Sequence, residues 1–166
     1  MKGPLPRPQR GTLHWLGKVW ASPVTLVGGL LGVIGLALGS RLRIENNALV
    51  FHRYPFGPGG ALVLGNVILS TRPTLDVLVP TYAARANALA NATDKFALDA
   101  HSRDGRHAHE HVWLADHERA HTYQYEVLGV LFLPLYLLSG GISARNRFEQ
   151  AADRYAKTGA GWWPYG

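Results

Sequence analysis

The chain of 166 residues contains no cysteine. That absence excludes a disulfide framework, every thiolate metal site and with them the zinc fingers, so only histidine and carboxylate remain as strong metal ligands. There is no internal repeat, and the length fits one domain with a modest core. A basic helix and a stacked-aromatic motif are also missing, although the formal net charge is +6. The lysines and arginines are scattered, so nucleic acid is not the expected partner; an anionic lipid bilayer is the better use of the charge.

Charge itself is missing from one long stretch. Residues 1–18 hold Lys2, Arg7, Arg10 and Lys18 among three prolines, which favours a mobile basic arm. Residues 19–40 then carry no charged side chain, close to the roughly 20 apolar residues that cross a bilayer core as helix. Trp15, Trp20 and Lys18 mark one end and Arg41 and Arg43 the other, the pattern of interfacial anchors. The expectation is a transmembrane helix, a single N-terminal span. Gly28, Gly32, Gly35 and Gly39 line one face of it, where another helix can approach closely. A cleaved secretory signal and a buried core helix are the competing readings, and basic residues at both ends leave the orientation open.

What is present lies further on. Asp116-His117-Glu118-Arg119-Ala120-His121 contains His-Glu-x-x-His. On a helix, positions four apart stand one above the other, so both imidazoles can bind one cation, and Glu118 sits beside it to take a proton from water. The spacing of Trp113, Leu114, His117, His121, Gln124, Tyr125 and Leu128 predicts a helix over about 110–128, with one inward stripe that contains both histidines. Ser102 or Asp104 is a candidate cap for it. A catalytic zinc (Zn2+) needs a third protein ligand, and Glu149, on its own helical stretch, is the best candidate. Asp153, one turn later, can accept a hydrogen bond from a ligating imidazole and orient it.

The remaining segments read as follows. Residues 41–52 form a hairpin about Asn46-Asn47, residues 61–69 a third strand, and together a small antiparallel meander. That third strand is positioned to hold an extended substrate, or simply to cover the metal helix. Residues 82–100 carry a helix signal, and the polar stretch at about 99–111, with His101, His107, His109 and His111, reads as a solvated insert. Residues 127–142, uncharged but broken by Gly129 and Pro134, read as a packed or interfacial helix, and the Trp162-Trp163-Pro164-Tyr165 end as an anchor or a lid.

His117-Glu118-x-x-His121 followed by Glu149-x-x-x-Asp153 resembles the gluzincin pattern of thermolysin-like metallopeptidases. With Gln124-Tyr125, Leu128-Gly129, Leu133-Pro134 and Asn146-x-Phe148-Glu149, the same stretch is similar to small bacterial proteins that have a hydrophobic N-terminus and one zincin-like core. The resemblance covers about a quarter of the chain. It implies His117, His121 and Glu149 as zinc ligands, Glu118 as general base, Asp153 as the partner of a ligating histidine, and an oxyanion-stabilising group for which Tyr123, Tyr125 and Tyr155 are candidates. The resulting expectation is an α+β protein with a mainly helical zincin-like domain over 41–166. It would be a zinc-dependent metallopeptidase of the bacterial inner membrane, acting on peptide or protein. Two rivals stay open: a structural or vestigial ion with one of His107, His109 or His111 as fourth ligand, and a metal-free scaffold in which the motif is incidental.

Overall fold

A computed structural model describes residues 12–57, 59–93 and 111–165, and the fold is mixed α and β. Helices α1 (Thr12–Trp20) and α2 (Ser22–Ala37) lead into strands β1 (Arg41–Glu45), β2 (Ala48–His52), β3 (Ala61–Leu64) and β4 (Val67–Ser70). Strand β5 (Leu78–Pro80), helix α3 (Tyr82–Thr93), strand β6 (His111–Trp113) and helix α4 (Leu114–Leu128) follow. A 3-10 turn (Gly129–Leu131), α5 (Phe132–Leu138) and α6 (Arg147–Thr158) complete the chain.

The apolar N-terminal segment is two helices rather than one. Pro23 has no N–H to donate back to Val19 and its ring crowds that carbonyl, so the helix breaks there. α1 meets α2 at 68°. No single helix among the described residues is long and apolar enough to cross a membrane. The basic arm, expected through residue 18, gives way to helix at Thr12. His14 bonds Glu126 at 2.7 Å and Asn47 at 2.8 Å, and the Lys18 ammonium donates to the Asn47 carbonyl at 3.3 Å.

The glycine face of α2 receives a sheet, not a helix. A Cβ on Gly28 would come within 2.9 Å of the Cβ atoms of Val67 and Leu64; one on Gly32 would overlap the Phe51 ring, and one on Gly35 would lie 2.6 Å from the Tyr54 ring. Small residues in the helix therefore make room for large ones on the strands. Gly39 is outside this contact and ends the helix at φ +97°.

That sheet has the order β1-β2-β4-β3. The hairpin at Asn46 and Asn47 forms as expected, with both residues at positive φ (50° and 66°), which short polar side chains tolerate. The expected third strand splits into the hairpin β3–β4 about Gly65, at φ +62°, and Asn66. It is β4, not β3, that lies beside β2, and it runs parallel to it with Val50 opposite Ile68. The sheet is thus mixed rather than a meander, and β3 becomes an edge.

α4 begins at Leu114, later than periodicity indicates, because residues 111–113 pair with β5 as a strand. Its first N–H groups need no side-chain cap: Leu114 N–H donates to the Val77 carbonyl at 3.0 Å and Ala115 N–H to that of Leu75 at 3.1 Å. Ser102, Asp104, His107 and His109 lie outside the described residues. α4 packs against α6, α1 and β3 and is buried on every side from Leu114 to Tyr125, beyond the single stripe expected. Several of the polar groups this buries are paired: the Arg119 guanidinium forms an ion pair with Asp116 at 3.2 Å and donates to Asn46 Oδ1 at 2.9 Å, and the Thr122 hydroxyl donates to the Arg119 carbonyl at 2.8 Å.

The close fit of α2 to the sheet sets a contrast between neighbouring glycines. Gly32→Leu must displace Phe51 and is expected to destabilise the fold by about 1–3 kcal/mol or more. Gly29→Ala meets open space and is expected to be neutral or to stabilise by up to about 1 kcal/mol. Chemical denaturation of both variants in the same detergent provides the comparison.

Candidate metal centre

His117 and His121 stand one turn apart on α4, and Glu149 faces them from the first turn of α6. α6 is held in place by Asn146, whose side-chain Oδ1 accepts from Phe148 N–H at 2.9 Å while its Nδ2 donates to the carbonyls of Tyr136 at 3.0 Å and Gly141 at 2.7 Å. The facing atoms form a small triangle. His117 Nε2 lies 3.2 Å from His121 Nε2 and 3.0 Å from Glu149 Oε2, and His121 Nε2 lies 3.4 Å from the same oxygen. All three residues are buried.

Hydrogen bonds on the far side of each group decide what points inward. Asp153 Oδ1, which can only accept, lies 2.9 Å from His117 Nδ1, so that nitrogen carries the proton. Its second oxygen accepts from Tyr82 N–H at 3.0 Å. Gln124 donates from its amide nitrogen to the carbonyls of Phe148 (3.2 Å) and Trp162 (2.9 Å), which turns its oxygen toward His121 Nδ1 at 2.8 Å; that nitrogen is a donor as well. The Tyr136 hydroxyl donates to Glu149 Oε1 and leaves Oε2 for the triangle. Two imidazole lone pairs and one carboxylate oxygen therefore converge, and their mutual repulsion is relieved only by protons or a cation among them.

A metal ion fits the triangle. Metal–ligand bonds of about 2.0–2.2 Å in a tetrahedron put ligand atoms roughly 3.3–3.6 Å apart. The edges of 3.0–3.4 Å are within a few tenths of an ångström of that range. The donor set, two imidazoles and a carboxylate, suits a first-row divalent ion, and both imidazoles have the outer hydrogen bonds that orient such ligands. The buried cluster of His117, His121 and Glu149 is thus able to hold a metal ion.

The electrostatics agree. Burial opposes charge on His117, but its bonds to Asp153 and Glu149 outweigh this and push its pKa up to about 10. Burial likewise opposes charge on His121, and the Glu149 carboxylate raises its pKa regardless. Glu149 is held far below the usual carboxylate range: its burial acts upward, but His121 and His117 dominate. The centre calls for positive charge.

Glu118 lies outside the triangle and lines a cleft of about 350 Å³, including its open mouth, shared with His117, Tyr82, Arg85 and Ala61. Burial pushes its carboxyl above the ordinary range, while the two histidines pull the other way. Tyr82 stacks on the His117 ring, with centroids 5.8 Å apart. Its hydroxyl is kept protonated by burial, with Glu149 and Glu118 adding to the effect.

All five residues singled out in the sequence, His117, Glu118, His121, Glu149 and Asp153, come together. The tyrosines considered for the oxyanion do not join them. Tyr123 and Tyr155 pack on each other, Tyr123 also meets Trp162, and Tyr125 is buried against Phe132. His111 is exposed on β6 and is not part of the cluster. Gln124, Tyr136 and Tyr82 were missed. Gln124 carried a usable signal, three positions after His121 on the same helical face. Tyr136 is the one phenol in an otherwise apolar run, and Tyr82 reaches the centre only through tertiary packing. Comparison with known proteins adds no relative: no family model, no curated protein and no solved structure matches the chain.

Replacing His117, His121 or Glu149 by alanine is expected to abolish stoichiometric metal binding, measured by elemental analysis. Gln124→Leu is expected to weaken it about 10–100-fold. Protons and metal compete for the same lone pairs, so binding at pH 7 is expected to release protons, detectable by calorimetry in buffers of different ionisation enthalpy. Since the His117 value is raised from 6.5 to about 10, the stability its proton confers on chelator-treated protein is complete below 6.5. That stability is lost as the pH climbs through about 10, so unfolding at a series of pH values should show a decline over this window.

Proposed function

We propose that the protein is a membrane-associated, zinc-dependent metallopeptidase. The observation that carries this reading is the convergence of His117 Nε2, His121 Nε2 and Glu149 Oε2 at 3.0–3.4 Å, next to a cleft that holds a carboxylate outside the ligand triangle. Zinc is the ion favoured by two imidazoles and one carboxylate. Bound there, zinc supplies Lewis-acid polarisation of a scissile carbonyl and makes water acidic enough to attack near neutral pH.

The chain's own groups do the rest. Glu118 takes the proton of the attacking water on a carboxylate oxygen and delivers it to the departing amine. Its raised pKa brings donor and acceptor strengths closer, which suits a group that must do both. Asp153 and Gln124 hold the two imidazoles in the tautomers that present Nε2, and Tyr136 holds Glu149. Tyr82, protonated and lining the same cleft, is the donor we assign to the oxyanion. The substrate is a peptide or protein segment. Edge strand β3 starts at Ala61 on the cleft wall, where an extended chain can add as a further strand.

Glu118→Gln is expected to retain one equivalent of zinc and to lose about 10²–10⁴-fold in peptide hydrolysis, assayed on an unstructured protein substrate in detergent. Undiminished hydrolysis removes Glu118 from its role. Tyr82→Phe is expected to lower kcat by about 10²-fold with little change in zinc content. If wild-type protein binds zinc and no peptide is cut, the buried cluster is a structural ion joining α4 to α6.

A further inference from the structure

We propose that α1 and α2 do not cross the bilayer but lie in one leaflet, with α2 immersed along its outer face and clamped to the protein's own sheet along its inner one. This deepens the membrane part of the proposed function and is independent of the hydrolytic chemistry.

Length and shape argue first. A 16-residue helix such as α2 is about 24 Å long, short of the roughly 30 Å hydrocarbon core. α1 turns away at 68° and does not extend it. The inner face of α2 is occupied over about two turns, at Gly28 and Gly32 by strand side chains and at Gly35 by Tyr54, just past β2. A crossing helix would therefore carry the sheet into hydrocarbon, with its edge strands and the charged residues Arg41, Arg43 and Glu45 of β1. Open sheet edges facing lipid leave backbone groups unsatisfied at several kcal/mol each. Lying flat, α2 keeps the sheet in water.

The opposite face carries Leu26, Val27, Leu30, Val33 and Ile34, each more than half exposed. Exposed apolar side chains also stand on the 3-10 turn that packs against α2, at Val130 and Leu131, and on α5, at Leu137 and Leu138. Neither 19–40 nor 127–142 contains a charged residue. α1 supplies the border: Leu16, Val19, Trp15 and Trp20 face outward, while His14 and Lys18 are bonded inward to Glu126 and Asn47. An amphipathic helix edged by tryptophan suits the headgroup boundary. Arg41 and Arg43 at the other end of α2, and the +6 charge of the chain, match anionic lipid.

The absence of native cysteine makes the test direct. Gln9→Cys and Arg43→Cys flank the two helices. In sealed membrane vesicles of uniform orientation, both are expected to react with a membrane-impermeant maleimide from the same side. Reaction from opposite sides establishes a span and overturns the proposal. Leu30→Glu/Ile34→Glu, at exposed positions that leave the sheet contacts intact, is expected to lower binding to phosphatidylglycerol-containing vesicles by about 100-fold or more. Zinc content, read in the same samples, is expected to stay at one equivalent, so loss of lipid binding is separated from loss of fold and from any failure of the peptidase reading. Unchanged vesicle binding, or a wild-type dimer without lipid that the double variant abolishes, shows a different occupant on this face and overturns the proposal.

Discussion

Three electron-rich atoms held within 3.4 Å of one another are an unfavourable arrangement unless something positive sits between them, and the interior of this protein is built to hold them there. Each atom is fixed by a bond on the far side of its group, from Asp153, Gln124 or Tyr136, and two of those groups are fixed in turn: Asp153 by the Tyr82 N–H and Gln124 by two carbonyls. Asn146 caps α6 and ties it to the end of α5, so that Glu149 and Asp153 come at the His pair from one rigid element. The result is preorganisation, with the orientation of each ligand settled before an ion arrives.

This arrangement explains why a polar helix lies at the centre of the fold. Burying Asp116, Arg119, Thr122 and Gln124 is tolerable only because each finds a partner, and those partners come from the β1–β2 turn, from α6, from the C-terminal Trp162 and from α4 itself. Glu126 gathers Asn47, Asn66 and His14, joining α4 to the sheet and to α1. The first apolar segment is accordingly part of the folded domain. It contributes apolar packing against Phe51, Tyr54, Leu64 and Val67 that α4, occupied with polar groups, does not supply.

The buried cluster was legible in the sequence because it depends on local periodicity. His117 and His121 share a helical face by spacing alone, and Glu149 and Asp153 repeat that geometry on α6, two helices later. The α+β class and the turn at Asn46-Asn47 were legible for the same reason. Features set by long-range packing were not. Nothing in residues 61–69 announces that β4 will pair in parallel with β2, since pairing depends on where the loop after His52 delivers the chain. The glycine stripe was read correctly as a surface for close approach but assigned to a helix, because a pattern of small residues specifies room and not the occupant. The break at Pro23 was readable and was outweighed by the unbroken absence of charge.

An ion bound by the cluster would be coupled to the fold through these contacts. An ion that binds only the native triangle stabilises the fold by RT ln(1 + [metal]/Kd), about 4 kcal/mol at a thousandfold excess over Kd. For a chain of this size that is a large share of total stability, and it falls on the α4–α6 interface, where the central helix is least apolar. The sheet and α2 stand on apolar packing, and Glu126 joins them to α4 through Asn47 and Asn66. With much of its central helix given to polar groups and their hydrogen-bond partners, the chain spreads its hydrophobic burial over the sheet, the ends of α4, α5 and α6, and α2 is covered on its glycine face alone. The uncovered side is the exposed apolar face that we propose meets lipid.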